Sequence, residues 1–194
     1  MILTHVMYHY VREISGSSFP NIKGLEFQSF KNQLDYLTSK YSIITYNDLL
    51  LSQKGTVLPK NSCLLTFDDG YLDHFKNVLP ELEKRNIKGL FFPPVTTTLN
   101  IKILDVNKIH FILASVDNDE MLVKLLKKLL LEFQIEEYYI EACYAKFAVP
   151  NRFDTGNTIF FKRMLQYVLP RDIRNKICDI MFHKFVSKDQ IDFS

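Results

Sequence analysis

Apolar and polar positions alternate from Ile2 to Val11: Ile2, Thr4, Val6, Tyr8 and Tyr10 fall on one side, and Leu3, His5, Met7, His9 and Val11 on the other. A period of two predicts a strand. Gly16, Ser17, Ser18, Pro20 and Gly24 then mark an exposed loop. The period lengthens at Phe27, Phe30, Leu34, Leu37 and Tyr41, whose three- and four-residue spacing predicts an amphipathic helix over 27–40. Ser42 to Thr45 is a short strand candidate, Asn47 a cap for a helical turn over 48–52, and 53–62, with Gly55 and Pro59, a connection. Cys63 to Phe67 is short, apolar and bounded by breakers, as a buried strand is. Leu72, Phe75, Val78, Leu79 and Leu82 form a helical face that Pro80 is expected to split into two short helices. Lys88 to Phe92 is a further strand, stopped by Pro93-Pro94.

That order of strands and helices predicts an α/β fold with a parallel sheet or barrel, whose site lies at the carboxyl ends of the strands. From residue 104 the pattern turns helical. Helices are expected over 104–114, along the stripe Met121, Leu122, Leu125, Leu126, Leu129, Leu130 and Phe133, and over 135–147, 158–169 and 171–186. Pro150, Gly156 and Pro170 mark the breaks. Two regions follow: 1–103, the sheet-forming part, and 104–194, a helical subdomain inserted or appended. Ser187-Lys188-Asp189-Gln190 fits a capping box, with four residues left to form the helix it would open. Two expectations stand: a chain that stops at the start of an element, or a frayed tail.

Composition narrows the classes. With 24 basic and 22 acidic residues in 194, the net charge of +2 gives no argument for nucleic-acid or anionic-membrane binding. Cys63, Cys143 and Cys178 are odd in number, far apart and in apolar settings, which predicts buried free thiols in a reducing compartment. No stretch reaches 18 apolar residues, and no basic segment precedes an apolar one at the N-terminus. Neither a membrane span nor a standard secretion signal is expected, so the location is expected to be cytoplasmic.

The stretch with chemistry is Leu64-Leu65-Thr66-Phe67-Asp68-Asp69-Gly70-Tyr71. Adjacent carboxylates at the end of a buried strand repel each other and resist desolvation. A divalent cation, solvation at the strand end, or capping of the next helix by Asp69 would each compensate them. His5 and His9 share a strand face but sit roughly 13 Å apart on an extended strand, too far to chelate one ion together. His74, on the helix after the motif, is expected to be exposed.

Thr66-Phe67-Asp68-Asp69-Gly70 resembles the first motif of the polysaccharide deacetylases, the NodB-homology carbohydrate esterases of family 4. Met7-Tyr8-His9-Tyr10-Val11, Phe19-Pro20, and Asn77 to Leu82 leading into Ile87 to Phe92 agree with such chains. The resemblance covers residues 2–95. More loosely, Leu104 to Phe111 and the following helices resemble an insertion carried by members from surface-polysaccharide gene clusters. The resemblance implies a distorted (β/α) barrel, whole or partial, and metal-dependent hydrolysis of N-acetyl or O-acetyl groups on a carbohydrate. It implies Asp68 as the general base, Asp69 as a ligand to a divalent metal, usually zinc, and His9 and Tyr71 beside the substrate.

The chain departs from the family where the metal site should be completed. Only His110 and His183 follow the Lys88–Phe92 strand, and no His-x-x-x-His pair occurs. A catalytic zinc takes three protein ligands. The expectations are therefore an N-terminal part of a longer deacetylase, or a metal-free relative that binds glycan or a partner. Exposed apolar faces on a partial barrel would favour self-association. A haloacid-dehalogenase-type phosphohydrolase is disfavoured because Thr66 stands where its nucleophilic Asp would be, and no Gly-x-Ser-x-Gly elbow supports a serine hydrolase.

Overall fold

In the computed structural model, which describes residues 2–95 and 103–187, the apolar run around Leu64 is the strand on which a parallel sheet is laid. The strands are β1 Leu3–Tyr8, β2 Val11–Arg12, β3 Leu25–Glu26, β4 Ser42–Ile43, β5 Ser62–Asp68 and β6 Leu90–Phe92. β1 pairs along one edge of β5, from Leu3↔Ser62 to Tyr8↔Phe67. The other edge is shared. β4 takes its start, at Ser62 and Cys63, and β6 takes its end, from Thr66↔Leu90 to Asp68↔Phe92. Every pairing is parallel, and the sheet is open among the described residues. Ser62 to Phe67 are all buried, as expected of a central parallel strand covered on both faces.

The main core lies on one face of this sheet. Cys63, Leu65 and Phe67 pack with Tyr8, with Phe30, Leu34 and Leu37 of helix α1 (Phe27–Lys40), and with Val78 and Leu82. Phe67 is its centre, stacked on Tyr8 at 5.2 Å and on Phe91 at 4.8 Å. A Cβ at Gly89 would lie 2.4 Å from the Phe67 ring, so only glycine fits beside it. On the opposite face, Ile44, Leu58 and Leu64 make a smaller cluster.

Several boundaries differ from expectation for local reasons. Helix α2, Tyr46–Gln53, is capped by Thr45 rather than Asn47. The Thr45 hydroxyl accepts from the Asp48 amide, and the Asp48 carboxylate accepts from the Thr45 amide at 2.7 Å. Strand β1 ends at Tyr8, before the expected Val11; β2 then forms a separate two-residue sheet with β3, and the Leu25 amide donates to the Tyr10 carbonyl. Pro80 does not split its helix. A π-helical stretch, His74–Val78, runs straight into α3, Leu79–Lys84, with Pro80 in its first turn. The wider turn sends the Leu79 amide back five residues to the His74 carbonyl, which relieves the clash a proline makes in an α-helix.

The chain divides into two compact units at Lys102/Ile103. The second is helical: α4 Asp105–Ala114, α5 Asp119–Glu132, α6 Glu137–Phe147, α7 Gly156–Arg163, a π-helical stretch Met164–Val168, and α8 Arg171–Phe185. Its core holds Ile109, Ile112, Leu122, Leu126, Phe160, Phe161 and Phe182. Of the expected α5 stripe, Leu122, Leu126, Leu129 and Leu130 are buried and Met121 is exposed. The capping box at Ser187–Gln190 runs beyond the described residues. Cys63, Cys143 and Cys178 are buried and free. Among the described residues no helix is long and apolar enough to cross a membrane.

Candidate active site

Asp68 closes β5 in register with Phe92 of β6, and Asp69 begins the turn that leaves the sheet. The turn is tight. Asp69 has φ +75° and Gly70 φ +62°. A Cβ on Gly70 would lie 2.8 Å from the Pro93 side chain, so the turn rests on the chain leaving β6. A left-handed conformation costs an ordinary residue about 1–2 kcal/mol, less for Asp. At Asp69 a side-chain bond offsets that strain: the Tyr71 hydroxyl donates to its Oδ2 at 2.6 Å. Bonds to charged acceptors contribute about 1.5–3 kcal/mol. Burial, then the nearby Tyr10 and Asp69, pushes the Tyr71 phenol well above its ordinary range, so Tyr71 keeps its proton through the neutral range.

The two carboxylates are therefore unlike. Asp69 is held by one oxygen. Asp68, half-buried, takes no hydrogen bond or ion pair among the described residues. An unpartnered carboxylate at a strand end can accept a proton from water.

The helix after the turn is stapled to the chain beyond β1 by three side-chain contacts that the sequence alone does not predict. Arg12 meets Asp73 at 2.6 Å, the His74 ring donates from Nε2 to the His9 carbonyl at 2.8 Å, and Asn77 donates to the Val11 carbonyl at 2.8 Å. Polar residues at 73, 74 and 77 share one face of a helix; that spacing was the available signal. His74 was expected to be exposed. It is buried, with its ring edge-on to Phe67 at 5.6 Å and to Tyr71 at 5.5 Å. A carbonyl only accepts, so Nε2 carries the proton and Nδ1 is left buried without a partner. Burial lowers the pKa of His74, against the upward pull of its bond to His9 and of Asp73 and Asp69.

His9 lies just past β1 with an exposed side chain. His5, on β1, is within 2.8 Å of the Thr66 hydroxyl, two residues before Asp68. His110 is on α4 and His183 on α8, in the other unit. Among the described residues no group of three or more His, Cys, Asp or Glu side chains could hold a metal ion. Asp69 with one oxygen engaged falls short of the three protein ligands of a catalytic zinc, so the described side chains do not by themselves fit that metal.

No protein-family model matches the chain, and no curated protein matches it. Several solved structures are similar to part of it. The de-N-acetylase from Aggregatibacter actinomycetemcomitans is 21% identical with a TM-score of 0.41, over 47% of this chain and 37% of that one. Streptococcus pyogenes deacetylase PplD in complex with acetate is 23% identical with a TM-score of 0.44, over 50% and 44%. IcaB from Ammonifex degensii is 25% identical with a TM-score of 0.41, over 59% and 52%. The chain thus spans between 37% and 52% of the length of these solved structures.

Proposed function

We propose that the chain carries a deacetylase-type site for an acylated carbohydrate, with Asp68 as the general base. Asp68 accepts a proton from water as the water oxygen attacks the acyl carbon; the bond from that carbon to the sugar nitrogen or oxygen breaks, and acetate leaves while the sugar atom gains a proton. The observation that carries this reading is the asymmetry of the pair, one carboxylate clamped by Tyr71 and the other half-buried and without a partner among the described residues, at the end of the central strand. The Thr66–Gly70 motif supports it, as does the parallel sheet, which we take as part of a NodB-type barrel formed by the 1–103 region. His9, exposed beside the strand end, is assigned to the substrate side. In this reading Asp69 is the one ligand this motif offers to a divalent metal such as zinc, the others coming from outside the described residues.

Acetate release from acetylated chito-oligosaccharides tests the proposal. Asp68→Asn is expected to abolish it; an unchanged rate in that variant would remove Asp68 from the reaction. Completion of the site by a second copy would make specific activity rise with protein concentration. A second reading, glycan binding without catalysis, is favoured by the lack of a three-ligand cluster among the described residues. It predicts chito-oligosaccharide affinity that survives Asp69→Ala, no acetate release, and zinc well below one equivalent by elemental analysis.

A further inference from the structure

We propose that Tyr71 is a positioning residue that decides which oxygen of Asp69 a ligand can reach. This rests on the reading of Asp68 and Asp69 as the reactive pair. The Tyr71 hydroxyl occupies Oδ2 at 2.6 Å, and no other hydrogen bond of the described residues reaches this carboxylate. Oδ1 is the oxygen left to accept from, or to bind, a ligand. Whatever binds Asp69, a cation or a sugar hydroxyl, meets one oxygen in a set direction instead of a rotating carboxylate.

The post that holds the hydroxyl is itself braced. The Tyr71 ring stacks on Tyr10 at 4.2 Å and 23°, and Tyr10 is 4% exposed. The Arg12 guanidinium lies 4.9 Å from the Tyr10 ring centre and is fixed by Asp73. His74, anchored on the His9 carbonyl, meets the Tyr71 ring edge-on. The backbone is set independently by the left-handed turn at Asp69 and Gly70 against Pro93. With the Cα fixed, only two side-chain torsions of Asp69 remain, and the bond to Tyr71 sets both. With its hydroxyl committed in this way, Tyr71 acts on a ligand through Asp69.

The test compares the wild-type chain with Tyr71→Phe, which keeps the ring on Tyr10 and removes one oxygen, by NMR with aspartate 13C-labelled. In Tyr71→Phe the Asp69 carboxyl resonance is expected to shift and its χ1 couplings to change from one rotamer to an average. The Asp68 resonance and the β1 and β5 amide shifts stay in place. A single Asp69 rotamer persisting in Tyr71→Phe overturns the proposal, and so does movement of the β5 amides together with Asp69, since ring packing would then be responsible. Asp69→Asn reads the same bond from the other side, through loss or a large shift of the hydrogen-bonded Tyr71 hydroxyl proton seen in the wild type; an unmoved proton counts against the clamp. Acetate release plays no part in these readouts. A chain with the clamp and no hydrolysis loses the deacetylase reading alone, and one with hydrolysis and no clamp loses this one alone.

Discussion

Lys108 in the helical unit and Asp68 in the sheet unit are both charged groups withdrawn from solvent, and the protein treats them in opposite ways. Lys108, 5% exposed, meets Asp179 at 2.5 Å and Asp105 at 3.4 Å, which ties α4 to α8. Asp119 in the same unit accepts from Thr155, from Thr158 at 2.9 Å and from Asn157 at 3.3 Å. Burial alone would raise its pKa; those donors override burial and hold the carboxyl below the usual carboxylate range. Asp68 has no such partners among the described residues. Lys108 and Asp119 in the helical unit are met by several neighbours, whereas Asp68 at the strand end has none among the described residues.

The largest effect that would sharpen this contrast comes from the platform beneath the open carboxylate. Phe67→Ala empties the centre of the aromatic cluster and is expected to cost about 3–5 kcal/mol, read by urea unfolding. Gly70→Ala adds a left-handed alanine and a clash with Pro93. About 2–4 kcal/mol is expected from the two together; a loss below 1 would show that the turn relaxes easily. In the helical unit, Lys108→Ala is expected to cost about 1–3 kcal/mol, because the two aspartates it leaves are partly exposed and rehydrate. Asp68→Asn, by contrast, should change stability by no more than about 0.5 kcal/mol. If Asp68→Asn cost as much as Lys108→Ala, Asp68 would be a structural carboxylate and the contrast between the units would disappear.

A smaller effect depends on pH. Because burial lowers the His74 pKa in the fold, the unfolded chain takes up its proton first as pH falls. The stability that neutral His74 contributes is complete above its unfolded value, near 6.5, and is lost as pH falls from there toward and past the folded pKa. His74→Gln, which can still donate to the His9 carbonyl, is expected to flatten the stability profile between pH 7 and 5. A profile of unchanged slope would assign that dependence to other groups.

Much of the fold is legible in the chain because its signals are local. The 27–40 helix follows from Phe30, Leu34 and Leu37, and the central strand from an unbroken apolar run before Asp68. The Thr45–Asp48 box is equally local, and Thr45 rather than Asn47 carries the cap. What remained illegible depends on partners distant in sequence. His74 reads as a polar residue on an amphipathic helix; its burial follows from a carbonyl 65 positions earlier and the rings around it. Pro80 reads as a break, and nothing in composition announces a π turn that absorbs it. Of the candidate site, the carboxylate pair was plain in the motif. The difference between its members was not, because it rests on which of them the Tyr71 hydroxyl reaches.

The shared edge of β5 has a kinetic consequence. Its start is held by β4 and its aspartate end by the three residues of β6. Both pairings on this edge are short, two residues for β4 and three for β6, against six for β1 on the other edge. Short pairings open at low free-energy cost, so this edge of β5 can open while β1 stays paired. Amides bonded across it are expected to exchange with solvent through local opening, and those of the β1 pairing only through global unfolding.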